Sequence, residues 1–413
     1  MNDKLLKGIE YSFYLMLLLY LVGKSFEILT ILIDVLFVIY SIKNRNLFLE
    51  FYKKFKEIFI AFGVLILYFL IQSLFSNDIS IALKHSFGVS RFVILLFAIM
   101  YVFNTKEKIR NVMIVSFIAL FIVNADSLYQ FIFKVDIFGM PMYSGDKRLT
   151  AWTDMPIVNL YSGQFFGLLL ASIFILKDNY RKIAIFSFVF FIVIFFLSGN
   201  RSPIVAMFST LFIIGLLSSY RKYFIMLFIV LGIVFSLSLF NEKLYKGYSA
   251  VLDPTSNKAT SGRHQIYRTA FEIIKANPFL GIGGGMFRYE FQDYYAKIYD
   301  ANSQDKYEKE YLEISPYHSH NILLDMLVSW GIIGLLLIIY VAYFIYKVFV
   351  KNRPISLIAS IGVLYCITPL QFAKSLSQSN WQFYTFLGLI FLVLVSIYET
   401  KEIEEKSSNS LEV

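Results

Sequence analysis

With a single cysteine, Cys366, in 413 residues, the chain can form no intrachain disulfide. Histidine is nearly as scarce, with only His85, His264, His318 and His320. Charged residues make up 16% of the chain against 58% hydrophobic and 18% aromatic, and the mean hydropathy is +0.64. A soluble domain of this length needs far more polar surface to cover its core. The net charge of +9 does not indicate a nucleic-acid partner, because the basic residues lie between apolar runs rather than along one face. No cleaved leader is expected, since the apolar run after Lys4 and Lys7 lacks a small-residue cleavage site.

What the chain has in abundance is apolar stretches of roughly 17–25 residues, the length of a bilayer-crossing helix. They are continuously apolar rather than alternating, which excludes a β-barrel. The expected fold is an all-α polytopic membrane protein with about twelve transmembrane helices, each crossing being helical because lipid cannot satisfy open backbone groups. The runs fall at 9–22, 26–42, 57–75, 87–103, 110–133, 157–176, 182–198, 203–219, 221–240, 321–349, 355–372 and 381–398. No internal repeat of the kind seen in many transporters is visible. Residues 1–240 hold the first nine runs and 241–320 form one large hydrophilic loop domain with amphipathic helices. Residues 321–398 hold the last three runs, and 399–413 form a tail.

Orientation follows from lysine and arginine in short loops. Lys43, Arg45, Lys53, Lys54 and Lys56 form one set with Lys106, Lys108, Arg110, Lys177, Arg181, Lys182, Arg221, Lys222, Lys347, Lys351 and Arg353. Placing this set in the cytoplasm puts the 241–320 loop, all four histidines and the tail of "FFLSGNRSP" (195–203) on the far side of the membrane.

Four stretches there carry possible chemistry. In "LSGNRSP", Arg201 sits at the membrane boundary, where a buried charge is costly and is retained for an anionic partner or for lipid phosphate. Ser198, Asn200 and Pro203 suit the start of a helix whose amides point at the same anion. In "SGRHQIYRTAFEIIKANPFLGIGGG", Arg263 opens a helix with Ile266, Ala270, Phe271, Ile273 and Ile274 at helical spacing, stopped by Asn277–Pro278. The following "GIGGG" is a tight turn, or a close approach of backbone to a sugar phosphate. Tyrosines crowd 286–317 (Tyr289, Tyr294, Tyr295, Tyr299, Tyr307, Tyr311 and Tyr317) and suit an interface or a sugar ring. Further cations on this side are Lys84, Arg91, Lys147, Arg148 and Arg268, each a binding candidate or a solvated charge.

The fourth stretch is "SPYHSHNILLDMLVSWGIIG", 315–334, which spends two of the four histidines at the mouth of an apolar run. Zinc ligation lacks spaced companions, and a helix cap with bystander imidazoles is a second reading. The favoured one is a general base, His320, held by Asn321 and the helix start, since imidazole titrates near neutrality.

Taken together, "LSGNRSP", "SGRHQIYRTAFEIIKANPFLGIGGG" and "HSHNILLDMLVSWGIIG" resemble, in order and spacing, the signatures of the O-antigen ligase and polymerase superfamily. "DIFGMPMYSGDKRLTAWTDMP" resembles the stretch before the sixth span in ligase-type members. The resemblance covers residues 135–345 and implies transfer of an undecaprenyl-diphosphate-linked glycan on the periplasmic face of the bacterial cytoplasmic membrane, with no metal, nucleotide sugar or other cofactor. It implies that Arg201 and Arg263 bind the donor diphosphate and that His320 deprotonates the acceptor hydroxyl, with His318 at a more variable position. Asn321, Arg148, Arg91 and Arg268 are secondary candidates.

The chemistry is self-consistent: fixed guanidinium groups hold the leaving diphosphate in place of a metal ion. No acid inside "HSHN" is available for double displacement, so inversion is expected. The expected acceptor is lipid A–core, as for an O-antigen ligase. A polymerase extending one lipid-linked glycan with another, or transfer to a protein hydroxyl, would use the same residues. A lipid-linked glycan transporter is the reading from another class. It requires ionisable groups near mid-membrane, where only Asp34 and Asp126 stand out.

Overall fold

A computed structural model describes residues 2–22, 24–143, 148–151, 153, 158–241, 245, 263–299, 306–369, 375–376 and 378–409. Helix accounts for 80% of the described residues, and no strand is present among them. Every apolar run of the sequence lies on a helix or a broken pair. In chain order these are α1 (Asn2–Leu18), α2 (Ser25–Lys43), a short α3 (Arg45–Lys54), α4 (Lys56–Ser73), α5 (Ile79–Val102) and α6 (Lys106–Phe133). Then follow α7 (Val158–Ser162), α8 (Phe165–Ile175), α9 (Asp178–Leu197), α10 (Arg201–Leu217) and α11 (Arg221–Ser238). The hydrophilic segment supplies α12 (Arg263–Ala276), α13 (Phe287–Tyr295) and α14 (Lys306–Glu313). The bundle resumes with α15 (Ile322–Ile345), which widens into a π-turn at Tyr346–Val350, then α16 (Pro354–Ala359), α17 (Ile361–Ile367) and α18 (Ser379–Asn409).

Seven of these helices are long and apolar enough to cross a membrane, and three shorter ones are equally apolar. The chain is therefore an all-α polytopic membrane protein. Its surface agrees: Ile28, Ile31, Val35 and Ile42 make an exposed apolar stripe along α2, which only lipid can cover. The opposite stripe, Phe26, Leu29, Ile33 and Phe37, is buried. The centre of the bundle is α18, packed against α5, α8, α16 and α17. Phe26 stacks on Phe383 at 4.6 Å between ring centroids, and Phe59 stacks on Phe97 at 3.7 Å.

The helix ends sort into two groups. At one end lie the basic loops, tied together by Lys347–Glu57 at 2.8 Å, Lys106–Glu405 at 2.5 Å and Lys177–Glu402 at 3.7 Å. Glu399 caps the start of α16 there, accepting from the amides of Ile355 and Ser356 at 3.1 and 2.8 Å. At the other end, Arg201 begins α10 and Asn321 caps α15. Over this histidine end lies a cap built from residues 263–299 and 306–313. It has a hydrophobic core of its own: Ile266, Ala270, Ile273, Ile282, Met286, Phe287, Phe291 and Tyr295, joined by Val328 from α15. Phe271, expected on the apolar face of α12, is instead exposed, which leaves it facing away from that core.

The cap is moored to the turn between α4 and α5. Ser76 Oγ donates to Ile282 O at 2.8 Å, and Asn77 Nδ2 donates to Glu290 Oε1 at 2.9 Å. Glu290 is almost fully buried. Burial raises its carboxyl above the ordinary 4.5, the Asn77 bond lowers it, and Asp293 raises it again. A raised acid binds its proton more tightly in the folded state. Its stabilising contribution is thus complete below 4.5 and is lost as pH rises through the native value. Glu290→Gln keeps the acceptor for Asn77 without the buried charge. It should melt above the parent at neutral pH, and the two melting curves should converge as pH falls toward 4.5, as measured by thermal unfolding in detergent.

Candidate functional site

Three arginines couple electrostatically at the histidine end. Arg201 lies within electrostatic reach of Arg148 and Arg263, and Arg263 within reach of Arg148. Three segments far apart in sequence supply them. Arg148 comes from the hairpin after α6, which is pinned by reciprocal bonds between Tyr143 and Arg148 at 3.0 and 3.3 Å. The adjacent Leu149 amide donates to Ser198 O at 3.3 Å, which ties this hairpin to the α9–α10 turn and so to Arg201. That turn is held in place by Asn200 Nδ2 donating to Asn159 Oδ1 at 2.9 Å. Neither Arg148 nor Arg201 makes an ion pair with a described carboxylate. Burial pushes the Arg263 guanidinium below its ordinary value, Tyr267 and Tyr311 push it back up, and the charge of Arg148 lowers it further. An arginine keeps its proton through such shifts, so the cluster carries three fixed positive charges.

The histidines join the cluster through Tyr267. One helical turn beyond Arg263, its hydroxyl donates to His320 O at 3.4 Å. Burial raises the Tyr267 phenol, and Arg263 lowers it. His318 and His320 lie with ring centroids 4.2 Å apart. His318 is buried with Nδ1 3.2 Å from Gln378 Nε2, whereas His320 is half-buried. His320 has φ of 53°, the left-handed region, a conformation costing a non-glycine residue about 1–3 kcal/mol and found most often at functional sites. Asn321 ends the strained turn. Its Oδ1 accepts from the amides of Leu323 and Leu324 at 3.0 and 3.1 Å, and its Nδ2 donates to Pro369 O at 3.1 Å.

The remaining expected residues sit elsewhere. Arg91 is taken by Ser379 Oγ at 2.6 Å and Glu27 at 3.6 Å. Arg268 is exposed, its guanidinium lying 5.5 Å from the Tyr299 ring centre. Lys84 is exposed, and Lys147 lies outside the described residues. The first three residues of the glycine turn are structural. The amides of Gly281, Ile282 and Gly283 already donate to Asn277, Val328 and Ser329 at 3.1, 2.9 and 2.9 Å, so they have none to spare for a phosphate. Of the crowded tyrosines, Tyr295 and Tyr299 are buried in the cap, while Tyr289 and Tyr317 are exposed. Asp126 is spent locally, accepting from the Ile137 amide at 2.9 Å. Among the described residues, no group of three or more His, Cys, Asp or Glu side chains is placed to hold a metal ion.

Sequence reasoning passed over Tyr267, Gln378 and Asp325. Asp325 is fully buried one turn below His320 and accepts from Ser375 Oγ. The spacing of Asp325 from "HSHN" was the one available signal for it. Gln378 and Ser375 belong to a segment that only the fold brings near. An apolar cavity of about 430 Å³ runs through the bundle below this end, lined by Ile213 and Leu217 of α10, Met326, Trp330 and Val341 of α15, and Phe386 of α18.

The fold and site thus define a polytopic helical membrane protein with a cationic, histidine-bearing site at one end of the bundle. Residues 186–339 match the family model described as O-antigen ligase, and this match supports the resemblance to the O-antigen ligase superfamily over that segment. The match takes in Arg201, Arg263 and His318–Asn321 and stops short of Arg148. No curated protein matches the chain.

Arg148 depends on Gln130, a fully buried residue near the end of α6. Its Oε1 accepts from the amides of Thr150 and Ala151 at 2.8 and 3.2 Å, and its Nε2 donates to Thr150 Oγ1 at 2.7 Å. Gln130→Ala strands two buried amides at about 1–3 kcal/mol each. Hydrogen exchange at Thr150 and Ala151 should accelerate by about fivefold or more, corresponding to the lower end of that cost. Unchanged protection would remove Gln130 from this role.

Proposed function

We propose that the protein is a metal-independent membrane glycosyltransferase that takes a glycan from an undecaprenyl-diphosphate carrier on the periplasmic face of the bacterial cytoplasmic membrane. The observation that carries this reading is the electrostatic coupling of Arg148, Arg201 and Arg263, with the helix of Arg263 bonded to the backbone of His320 through Tyr267. Three like charges held in mutual reach suit a ligand with several negative charges, and a diphosphate is such a ligand. The apolar cavity beneath suits a polyprenyl chain. The O-antigen ligase match supports a ligase- or polymerase-type transferase with a lipid-linked glycan and a glycan acceptor.

In this mechanism the arginines bind the diphosphate bidentately and hold the charge that grows on it as the glycosidic bond breaks. His320 removes the proton from the acceptor hydroxyl. That oxygen attacks the anomeric carbon from the face opposite the diphosphate, inverting the centre, and the lipid diphosphate leaves with the bonding electron pair. His318, fixed by Gln378, packs against the His320 ring and orients it. The acceptor assigned is lipid A–core, as for a ligase; a second lipid-linked glycan, as for a polymerase, or a protein hydroxyl uses the same groups. In this reading the chain crosses the membrane twelve times. The pairs α7–α8 and α16–α17 serve as single broken crossings, and the segment 241–320 forms a periplasmic domain between crossings nine and ten. A transporter is less well supported, since Asp126 is engaged by the Ile137 amide and Arg148, Arg201 and Arg263 lie at one end of the bundle.

With purified protein, a defined undecaprenyl-diphosphate glycan and lipid A–core, Arg201→Ala or Arg263→Ala should lower transfer by about 100-fold or more, with Arg148→Ala intermediate. His320→Ala should lose about 10²–10⁴-fold, and far more than His318→Ala. Normal turnover in the Arg201 and Arg263 variants would discard the diphosphate site, and equal tolerance at both histidines would discard the base. Transfer should continue at an undiminished rate in EDTA; a strict divalent requirement would overturn the metal-free mechanism.

A further inference from the structure

The helix that begins at His320 is not continuous. Within α15, Gly331 has φ 62° and ψ −169°, and the two helical bonds that should span it are absent. In a regular helix the amides of Ile332 and Ile333 would donate to the carbonyls of Val328 and Ser329. Here those carbonyls accept from Ile282 and Gly283 of the cap, both at 2.9 Å. The freed amides donate to Pro278 O at 2.9 Å and Phe279 O at 3.3 Å. Residues 278–283 are therefore stitched into the break, and all four of these backbone groups find a partner, as burial among lipid-facing helices demands. Tyr68 of α4 adds a bond to Trp330 O at 2.6 Å.

Two glycines make the crossing sterically possible. A Cβ on Gly331 would lie 2.2 Å from Phe279 O, and one on Gly281 would lie 2.5 Å from Val328 O. Both obstructing atoms are backbone, and both glycines have positive φ, which side-chain-bearing residues adopt poorly.

We propose that Gly281 and Gly331 are positioning residues that lock Arg263 to His320; this rests on the function proposed above. The helix α12 runs directly from Arg263 into the stitch, and the outer part of α15 runs from His320 into the same stitch. Ile266, Ala270 and Ile273 pack with Val328 between the two helices, and Tyr267 closes the far end on His320. Arg263 and His320 thus sit at the open end of a two-helix clasp whose hinge is the glycine crossing. A 14-residue α12 spans about 21 Å, so a rotation of ~5° at the stitch moves Arg263 by about 2 Å. Misplacement by ~1 Å is enough to lower a rate by about 10²-fold.

Two readouts on the full-length protein test this. In a Cys366→Ser background, spin labels at His264→Cys and Leu323→Cys, both exposed at the open end of the clasp, report the spacing of the two helices without any need for activity. Transfer kinetics report the consequence. Gly331→Ala and Gly281→Ala should broaden or shift the label distance and lower kcat at least tenfold, with donor KM changed less than threefold because Arg148 and Arg201 stay in place. Ile332→Pro removes one stitch bond at a first-turn position where proline is tolerated, and it tests the same claim should the glycine variants not fold. Gly232→Ala, with open space at its Cβ, should change neither readout. An unchanged label distance in the stitch variants overturns the proposal, as does a changed distance with unchanged kcat. Failure of the parent to use an undecaprenyl-diphosphate glycan would instead sink the assigned reaction, while the label distances still judge the clasp.

Discussion

In a bilayer no backbone amide or carbonyl may be left without a partner, and much of this molecule follows from that constraint. It makes each apolar run a helix, and it allows a break only where other groups repair it. The Gly331 break shows the rule under load. Two main-chain donors and two acceptors are released by the left-handed turn, and the cap supplies a partner for each of the four. The cap is thereby built into the bundle through the main chain. Side-chain moorings at Ser76 and Asn77 then add a third element to the same region.

The electrostatics of the histidine end work against the fold rather than for it. Arg148, Arg201 and Arg263 repel one another and are partly withdrawn from water. They are held by bonds that have nothing to do with charge: Gln130 to Thr150 and Ala151, Leu149 to Ser198, Asn200 to Asn159, and Tyr267 to His320. In the function proposed above, such an arrangement is preorganised for the donor diphosphate, because the repulsion is already met when the ligand arrives. A diphosphate bound there in the folded chain alone would stabilise it by an amount that grows with the logarithm of its concentration over Kd.

Much of this was legible in the residues, and what was not has a common cause. The apolar runs located the helices, Asn277–Pro278 marked the end of α12, and the position of Arg201 marked the start of α10. Hydropathy could not reveal that "VSWGIIG" is interrupted, because transfer free energy is blind to hydrogen-bond direction and glycine is common in membrane helices. The same blindness hid the splits between α7 and α8 and between α16 and α17. Phe271 has the right spacing for a buried face, yet the cap core is only wide enough for Ile266, Ala270 and Ile273. Arg91 could not be told from Arg148 by sequence: each is a lone cation near a membrane boundary. The fold separates them by giving Arg91 the carboxylate of Glu27 and giving Arg148 two other arginines. Tyr267, Gln130 and Gln378 act through partners that only the fold brings near.

The crossing of residues 278–283 with 328–333 also bears on the order of assembly. The cap segment precedes α15 in the chain and is therefore synthesised first, so the strand that fills the gap already exists when the interrupted helix emerges. On the topology proposed above, this segment must reach the far side of the membrane before α15 settles among its neighbours. Were α15 to form first, its break would leave four open main-chain groups with no partner in lipid.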